Sequence, residues 1–533
     1  MKTTAQFKYL LAAALLLTAF SLQPLALLAG GPLTPPGAPG VTMKTLQEME
    51  PRTLIASVPY TISAPGSYYL SNNLTVATGD AITINASGVT LDLNGFTLSS
   101  AAASATGYGI LINSFEDIAI MNGHIMGGVT ESGGVYTGPG FAYGIQGGSD
   151  NIKVTHMTVS GVLYYGIYVS LNSSVVSECT VMTAGYYGII SDVVESCSAH
   201  DCGIYGIYST QVSDSYGQAV NGGIGIIGAT VINSYGYGYG TGNVGTGISA
   251  TEVENCYGDG GGRGISATTA NNCYGSTSST NGYGLYANDA NGCQGSGGYS
   301  GVYCENTAQG CYGYSYYGYG VTAHAASNCY GTCNAASGSA TYWSGLYAVV
   351  ANNCYGYSYY YYGLWVNSAN NCYGESFSSI GLYAGGQTFA GKSGGAVENS
   401  FGYSVNSYGI YSLNANNCYG ESYYGYGLGS RTANNCYGKT QSGYEGLDAT
   451  VANNCYGESY ATAYYSYGLY ATSANNCYGY STSPYGYGLG ASIAIGCYGS
   501  DYATGSVGIG AFIGNSCISS SGTSGITHPF LAY

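Results

Sequence analysis

Asn352-Asn353-Cys354-Tyr355-Gly356 is one of seven copies of the same five-residue phrase, with cysteines at 273, 354, 372, 418, 436, 455 and 477. Looser copies, with Cys or Ser at the marker, extend the register from Cys179 to Cys517 at a mean step of about 20 residues. A period of that length means a stack of one small unit that buries its core only against its neighbours. A second marker runs through the same region: Gly, an aliphatic residue, any residue, then a small one. Gly166-Ile167-Tyr168-Val169, Gly284-Leu285-Tyr286-Ala287 and Gly468-Leu469-Tyr470-Ala471 are examples. From this Gly to the following Cys the gap is nine residues in most copies, whereas from Cys to the next Gly it varies between 8 and 16. The fixed arc is expected to pack on its neighbours and the variable arc to carry the insertions.

The arcs are predicted to be strands. Leu469 and Ala471 share one side and Tyr470 takes the other, a period of two. Gly, Tyr, Ser, Thr and Asn dominate, and all are poor helix formers. Short strands broken by Gly and Asn at about 20 residues per turn predict an all-β, single-stranded parallel β-helix, with coils about 4.8 Å apart. The right-handed form is preferred, because the hexapeptide rhythm of the left-handed form is missing. Some 22 such coils give a rod about 100 Å long.

The N-terminus has the pattern of an export signal over residues 1–29: Lys2 and Lys8, an apolar run from Leu10 to Leu17, and a cleavage site at Leu27-Leu28-Ala29. The chain is therefore expected to be secreted or displayed at the cell surface, with no membrane span in its mature part. The net charge is −16, and losing Lys2 and Lys8 makes it more negative still. That argues against nucleic acid and against docking on anionic lipid. The 18 cysteines suggest disulfides in an exported chain. However, fifteen of them keep the repeat phase, and Ser215, Ser234 and Ser400 replace Cys without disturbing it. In-register stacking suits disulfide torsions poorly, so the ladder is expected to be small buried thiols. Three cysteines lie off it, Cys202, Cys304 and Cys333, leaving Cys197–Cys202 and Cys329–Cys333 as open pairings. There is no CxxC pair and the five histidines are scattered, so no metal and no cofactor is expected.

Residues 30–57 are Pro/Gly-rich and then acidic, a linker leading to a capping segment. Residues 58–160 carry Val/Ile/Leu strands and fit the atypical first coils of a solenoid, and residues 161–533 carry the Tyr/Gly/Cys repeats. The stretch from Tyr60-Thr61-Ile62 to Val76, followed by Ile82-Thr83-Ile84 and by Val89-Thr90-Leu91-Asp92-Leu93-Asn94-Gly95, resembles the opening of exported bacterial right-handed parallel β-helix proteins of the pectin-lyase-like superfamily. The resemblance covers nearly all of the mature chain. It implies the fold and leaves the activity open, since many relatives act on polysaccharides and many have no assigned activity.

Glycoside hydrolysis needs two carboxylates flanking one bond. Glu252 and Glu254 share strand parity, with Asp259 and Arg263 close by in sequence, and form the weak catalytic candidate. Asp92 reads as a turn group, Glu116-Asp117 as a solvated corner and His124 as a cap. Glu375, Glu421 and Glu458 each follow Cys-Tyr-Gly and read as a solvated stripe. A lyase needs a calcium nest and a base, which seven basic residues in the mature chain hardly supply. The variable arcs are instead packed with tyrosine, a residue that offers contact area at small entropic cost. Tyr316, Tyr317, Tyr359, Tyr360, Tyr423, Tyr424, Tyr464 and Tyr465 are the binding candidates. Outward Tyr ladders can stabilise the rod simply by stacking between coils; read as a surface, they predict a binding rod that contacts polysaccharide or cell-surface glycan. A carbohydrate-active enzyme and a purely structural matrix component are the alternatives.

Overall fold

The computed structural model describes residues 50–240, 244–336, 343–385, 395–462, 465–503, 506–520 and 528–532. The chain divides into two units, Met1–Pro51 and Arg52–Tyr533. The export signal and most of the linker fall outside the described residues, as does Tyr464.

Every element among the described residues is a strand. Forty-nine of them join by parallel pairing into one continuous sheet, a β-solenoid of about 22 turns. The repeat is clearest in the coil that starts at Tyr467. A first strand, Tyr467–Asn475, pairs in register with Glu445–Asn453 below and Tyr487–Ile495 above. Pairing skips Thr472, which divides the strand into two arcs. Asn476 then turns the chain with φ of 50°. A third arc, Tyr478–Ser481, pairs with Tyr456–Ser459 and Tyr498–Asp501. The chain closes the coil through residues 482–486, the variable arc.

Each residue of the phrase Asn-Asn-Cys-Tyr-Gly has its own place in the coil. The second Asn takes the left-handed conformation at the corner (Asn353, Asn371, Asn417, Asn435, Asn454 and Asn476 have φ of 50–53°). Asn tolerates that region better than other side chains. The first Asn donates along the stack: Asn434 Nδ2 to Asn416 Oδ1 at 2.8 Å, Asn453 to Asn434 at 2.8 Å, Asn475 to Asn453 at 3.0 Å. Cys turns inward, Tyr outward, and Gly inward again. The Gly is compulsory: a Cβ on Gly479 would stand 2.1 Å from the Gly488 carbonyl oxygen, and one on Gly468 2.2 Å from that of Tyr480. The first and third arcs touch backbone to backbone at this level.

All eighteen cysteines are buried and none forms a disulfide. The ladder thiols donate to backbone carbonyls, as Cys455 Sγ does to Ala433 O at 3.3 Å and Asn453 O at 3.2 Å. The pairings left open by the sequence do not form. Cys202 lies in the column of Ala184 and Ala219, and Cys333 in the column of Ser315 and Ser358, away from the corner ladder. Burial pushes the Cys256 thiol up to about 11 and the Cys202 and Cys304 thiols up as well, so these act as small apolar groups rather than nucleophiles.

The first strand, Thr53–Ile55, pairs with Gly66–Leu70 and already belongs to the solenoid. A hairpin, Thr130–Ser132 with Val135–Thr137, leaves the stack. It lies against later coils, where Tyr136 donates to Asp201 O at 2.8 Å and Asn221 to Gly134 O at 2.8 Å. No described helix is long and apolar enough to cross a membrane.

Candidate functional site

The outward Tyr of each repeat forms a column. Ten rings run from Tyr312 through Tyr330, Tyr355, Tyr373, Phe401, Tyr419, Tyr437, Tyr456 and Tyr478 to Tyr498, with consecutive centroids 4.6–5.1 Å apart. A shorter column, Tyr216–Tyr235–Tyr257–Tyr274, stops where Gln294 replaces Tyr. The faces of these rings are occupied by one another, so the columns stabilise the stack. Glu375, Glu421 and Glu458 are tied to the column rather than freely solvated. Glu458 accepts from Tyr437 and Tyr456 at 2.5 Å and from Tyr460 at 3.1 Å, and Glu375 from Tyr355 at 2.7 Å. Burial pushes the Glu421 carboxyl up, but hydrogen bonds from Lys439, Tyr419 and Gln441 hold it below the ordinary value on balance.

The sequence-predicted tyrosines sit elsewhere, on the variable arcs, and one device presents them. The last residue of the third arc is a buried Ser whose hydroxyl clamps the loop. Ser422 donates to Ser407 O at 2.7 Å and accepts from Gly425 N–H at 2.8 Å, so Tyr423 and Tyr424 project between the anchors. Ser315 accepts from Gly318 N–H at 2.8 Å around Tyr316 and Tyr317. Ser358 accepts from Tyr361 N–H at 3.1 Å around Tyr359 and Tyr360. All six rings are exposed, and Tyr465 is the most exposed candidate at 69%. The pairs make further ring contacts: Tyr359 packs on Tyr360 and stacks on Phe377 of the next coil, both at 4.6 Å, and Tyr423 packs on Tyr424 at 4.5 Å.

One pair enters a formed cleft. Tyr316 and Tyr317, with Tyr237, Tyr239 and Tyr274, wall a space of about 520 Å³. Asp259, Ser276, Thr277, Ser278 and Ser296 supply its polar groups. Burial pushes the Asp259 carboxyl up, against hydrogen bonds from Ser276 and the Gly260 amide. The catalytic candidates therefore separate. Glu252 and Glu254 lie on the strand Thr246–Glu254, before the corner at Asn255, and are exposed. Asp259 lies past that corner on Tyr257–Gly260, and neither glutamate lines its cleft. Their shared parity is real, but the corner turns the chain before Asp259.

A carboxylate pair that sequence reasoning missed lies on the strand Glu445–Asn453. Glu445 and Asp448 both point outward, near the stacked rings of Tyr408 and Tyr426. Burial and then the Asp448 charge push Glu445 up to about 7, despite a hydrogen bond from Tyr426, and burial raises Asp448 too. Glu445 Oε2 is buried with no hydrogen-bond partner. The only sequence signal is that Glu445 and Asp448 replace an outward Tyr in two columns, opposite Tyr467 and Tyr470.

Compared with known proteins, the chain matches no family model, no curated protein and no solved structure. Among the described residues no group of three or more His, Cys, Asp or Glu side chains is arranged to hold a metal ion.

The Asp259 cleft thus combines tyrosine rings, hydroxyl side chains and one carboxylate.

Proposed function

We propose that this protein is an exported binding rod that contacts polysaccharide or cell-surface glycan through its tyrosine-bearing arcs. The observation that carries the reading is the cleft where Tyr316 and Tyr317 meet Tyr237, Tyr239 and Tyr274 around Asp259. Five tyrosines and four hydroxyl side chains converge there, the combination that neutral hydroxyl-rich chains favour. The exposed pairs at Tyr359/Tyr360 and Tyr423/Tyr424 add weaker contacts along the rod, and repetition raises avidity. Membership of the pectin-lyase-like superfamily and export by the N-terminal signal belong to the same proposal. They rest on the Tyr60–Gly95 resemblance and on residues 1–29. The test is affinity electrophoresis in gels containing plant, algal or microbial polysaccharides. Retardation by at least one glycan, lost in the Tyr316→Ala/Tyr317→Ala double variant, supports the reading; equal mobility in every gel removes it.

The alternative of a carbohydrate-active enzyme has one observation in its favour, at a different place from the sequence candidates. Glu445, pushed up to about 7 beside Asp448, has the pKa of a general acid. In that case Glu445→Gln abolishes turnover while leaving glycan retention intact.

A further inference from the structure

The nine-residue first strand recurs in most of the repeats, and among the coils that depart from it one carries a single extra residue. Ser300–Gln309 has ten residues, and pairing shifts register on both sides of it, between Ala287 and Asp289 below and between Tyr303 and Thr307 above. An extra residue in a strand is a β-bulge, which re-aims a side chain and recurs beside functional sites. Here it lies where Cys304 and Glu305 follow Tyr303. Directly above, Thr322 replaces an aromatic residue in an outward column that otherwise reads Tyr286, Tyr303, Tyr347, Trp365 and Tyr383.

Bulge and substitution together leave a cavity of about 240 Å³ between the two coils, lined by Tyr303, Cys304, Glu305, Thr322, Ala323 and His324. Thr322 is only 8% exposed, yet its Oγ1 has no hydrogen-bond partner. A buried hydroxyl without a partner is destabilising, and one that lines a cavity is available to whatever enters it. Glu305 accepts a hydrogen bond from the Tyr286 hydroxyl through Oε1, which fixes the carboxylate at the rim. The stacked Tyr286–Tyr303 pair, 5.1 Å apart, holds the Tyr303 ring in place, and Arg263 lies 4.4 Å over Tyr286 and braces it from below. Cys304 and Ala323 are buried and apolar. Cys304, Glu305 and His324 do not converge as metal ligands.

We infer that this cavity is a second ligand site, taking one neutral, hydroxyl-bearing ring: a single sugar residue with adjacent hydroxyls. Glu305 accepts from two ring hydroxyls, Thr322 satisfies its orphan Oγ1 on a third, and the C–H face of the ring meets Tyr303 and Ala323. The inference shares its ligand class with the glycan reading but uses none of the residues of the Asp259 cleft. It therefore survives or fails separately.

The test is saturation-transfer NMR with free monosaccharides on the full-length protein, in three forms: unmodified, Thr322→Val and Glu305→Gln. Melting temperature is read in parallel. At least one vicinal-diol monosaccharide is expected to saturate the unmodified protein, with affinity falling about tenfold or more in each variant. Thr322→Val is expected to melt no lower than the parent, because it removes only the unpartnered hydroxyl. The Tyr316→Ala/Tyr317→Ala variant is expected to keep monosaccharide binding even where it loses polysaccharide. No saturation by any monosaccharide overturns the inference, as does saturation by small amines alone. Binding unchanged in both single variants, or a lower melting temperature for Thr322→Val, overturns it too.

Discussion

The first coils and the later repeats share one path of chain but fill it differently. In the coil built from Ile82–Ile84, Val89–Asp92 and Thr97–Ser100, the inward positions are Ile82, Ile84, Val89, Leu91, Leu93 and Leu98, all fully or almost fully buried. In the coil from Tyr467 to Ser481 the inward positions are Leu469, Ala471, Ala474, Cys477, Gly479 and Ser481. Each lost methylene removes about 0.8 kcal/mol of burial, so the repeats have far less apolar core per turn. They recover stability outside, through stacked tyrosines, through carboxylates that accept phenol hydroxyls, and through asparagine amides that run from coil to coil. A solenoid can thus move its stabilising contacts from bore to surface.

The largest expected effect is in the bore. Ile120→Ala, in the first coils, should cost about 2–5 kcal/mol, whereas Cys455→Ala, in the repeats, should cost about 1 kcal/mol because less side chain is removed. Native-state hydrogen exchange of the surrounding coil amides resolves both, and equal losses would erase the distinction. Next comes the outer side. Tyr437→Ala removes two ring stacks, to Tyr419 and Tyr456, and the bond to Glu458, and should cost about 1–3 kcal/mol in the same assay.

Glu445 makes the stability of its coil depend on pH. Its folded pKa is raised from 4.5 to about 7, so the folded state holds the proton more tightly than the unfolded chain. Stability should be full below about pH 4.5 and fall as pH rises through 7. Solvent screening of this partly exposed group reduces the change to about 2 kcal/mol. Exchange rates in the strand Glu445–Asn453, followed from pH 4 to 8, should show the fall, and Glu445→Gln should flatten it. The smallest effect is at the corner. Asn454→Ala should cost about 1 kcal/mol because alanine resists the left-handed conformation, while Asn454→Gly should be nearly neutral.

Much of the fold was legible because the fixed nine-residue arc recurs with its Gly and Cys in phase, and stacking converts phase directly into register. The buried thiol ladder followed from Ser215, Ser234 and Ser400 replacing Cys without loss of phase. The columns of Tyr after Cys were harder to see. Stacking of outward Tyr between coils is legible as a possibility, but an outward Tyr looks alike in sequence whether its faces are stacked or free, so the Tyr after Cys cannot be told from those of the variable arcs. Glu375, Glu421 and Glu458 were read as solvated because the phenols that reach them come in part from neighbouring coils. The sequence brought Glu252, Glu254 and Asp259 together, but a left-handed turn at Asn255 separates them. The bulge at Cys304 was hidden because one extra residue in a strand looks the same in sequence as one extra residue in a loop.

The most direct measurement incubates the full-length protein with a panel of plant, algal and microbial polysaccharides. It follows protein depletion from solution and oligosaccharide release by mass spectrometry in the same samples. Depletion by at least one polysaccharide with no released product is the predicted result. Release of oligosaccharides from any of them would contradict a binding rod and move the centre of the molecule to Glu445 and Asp448.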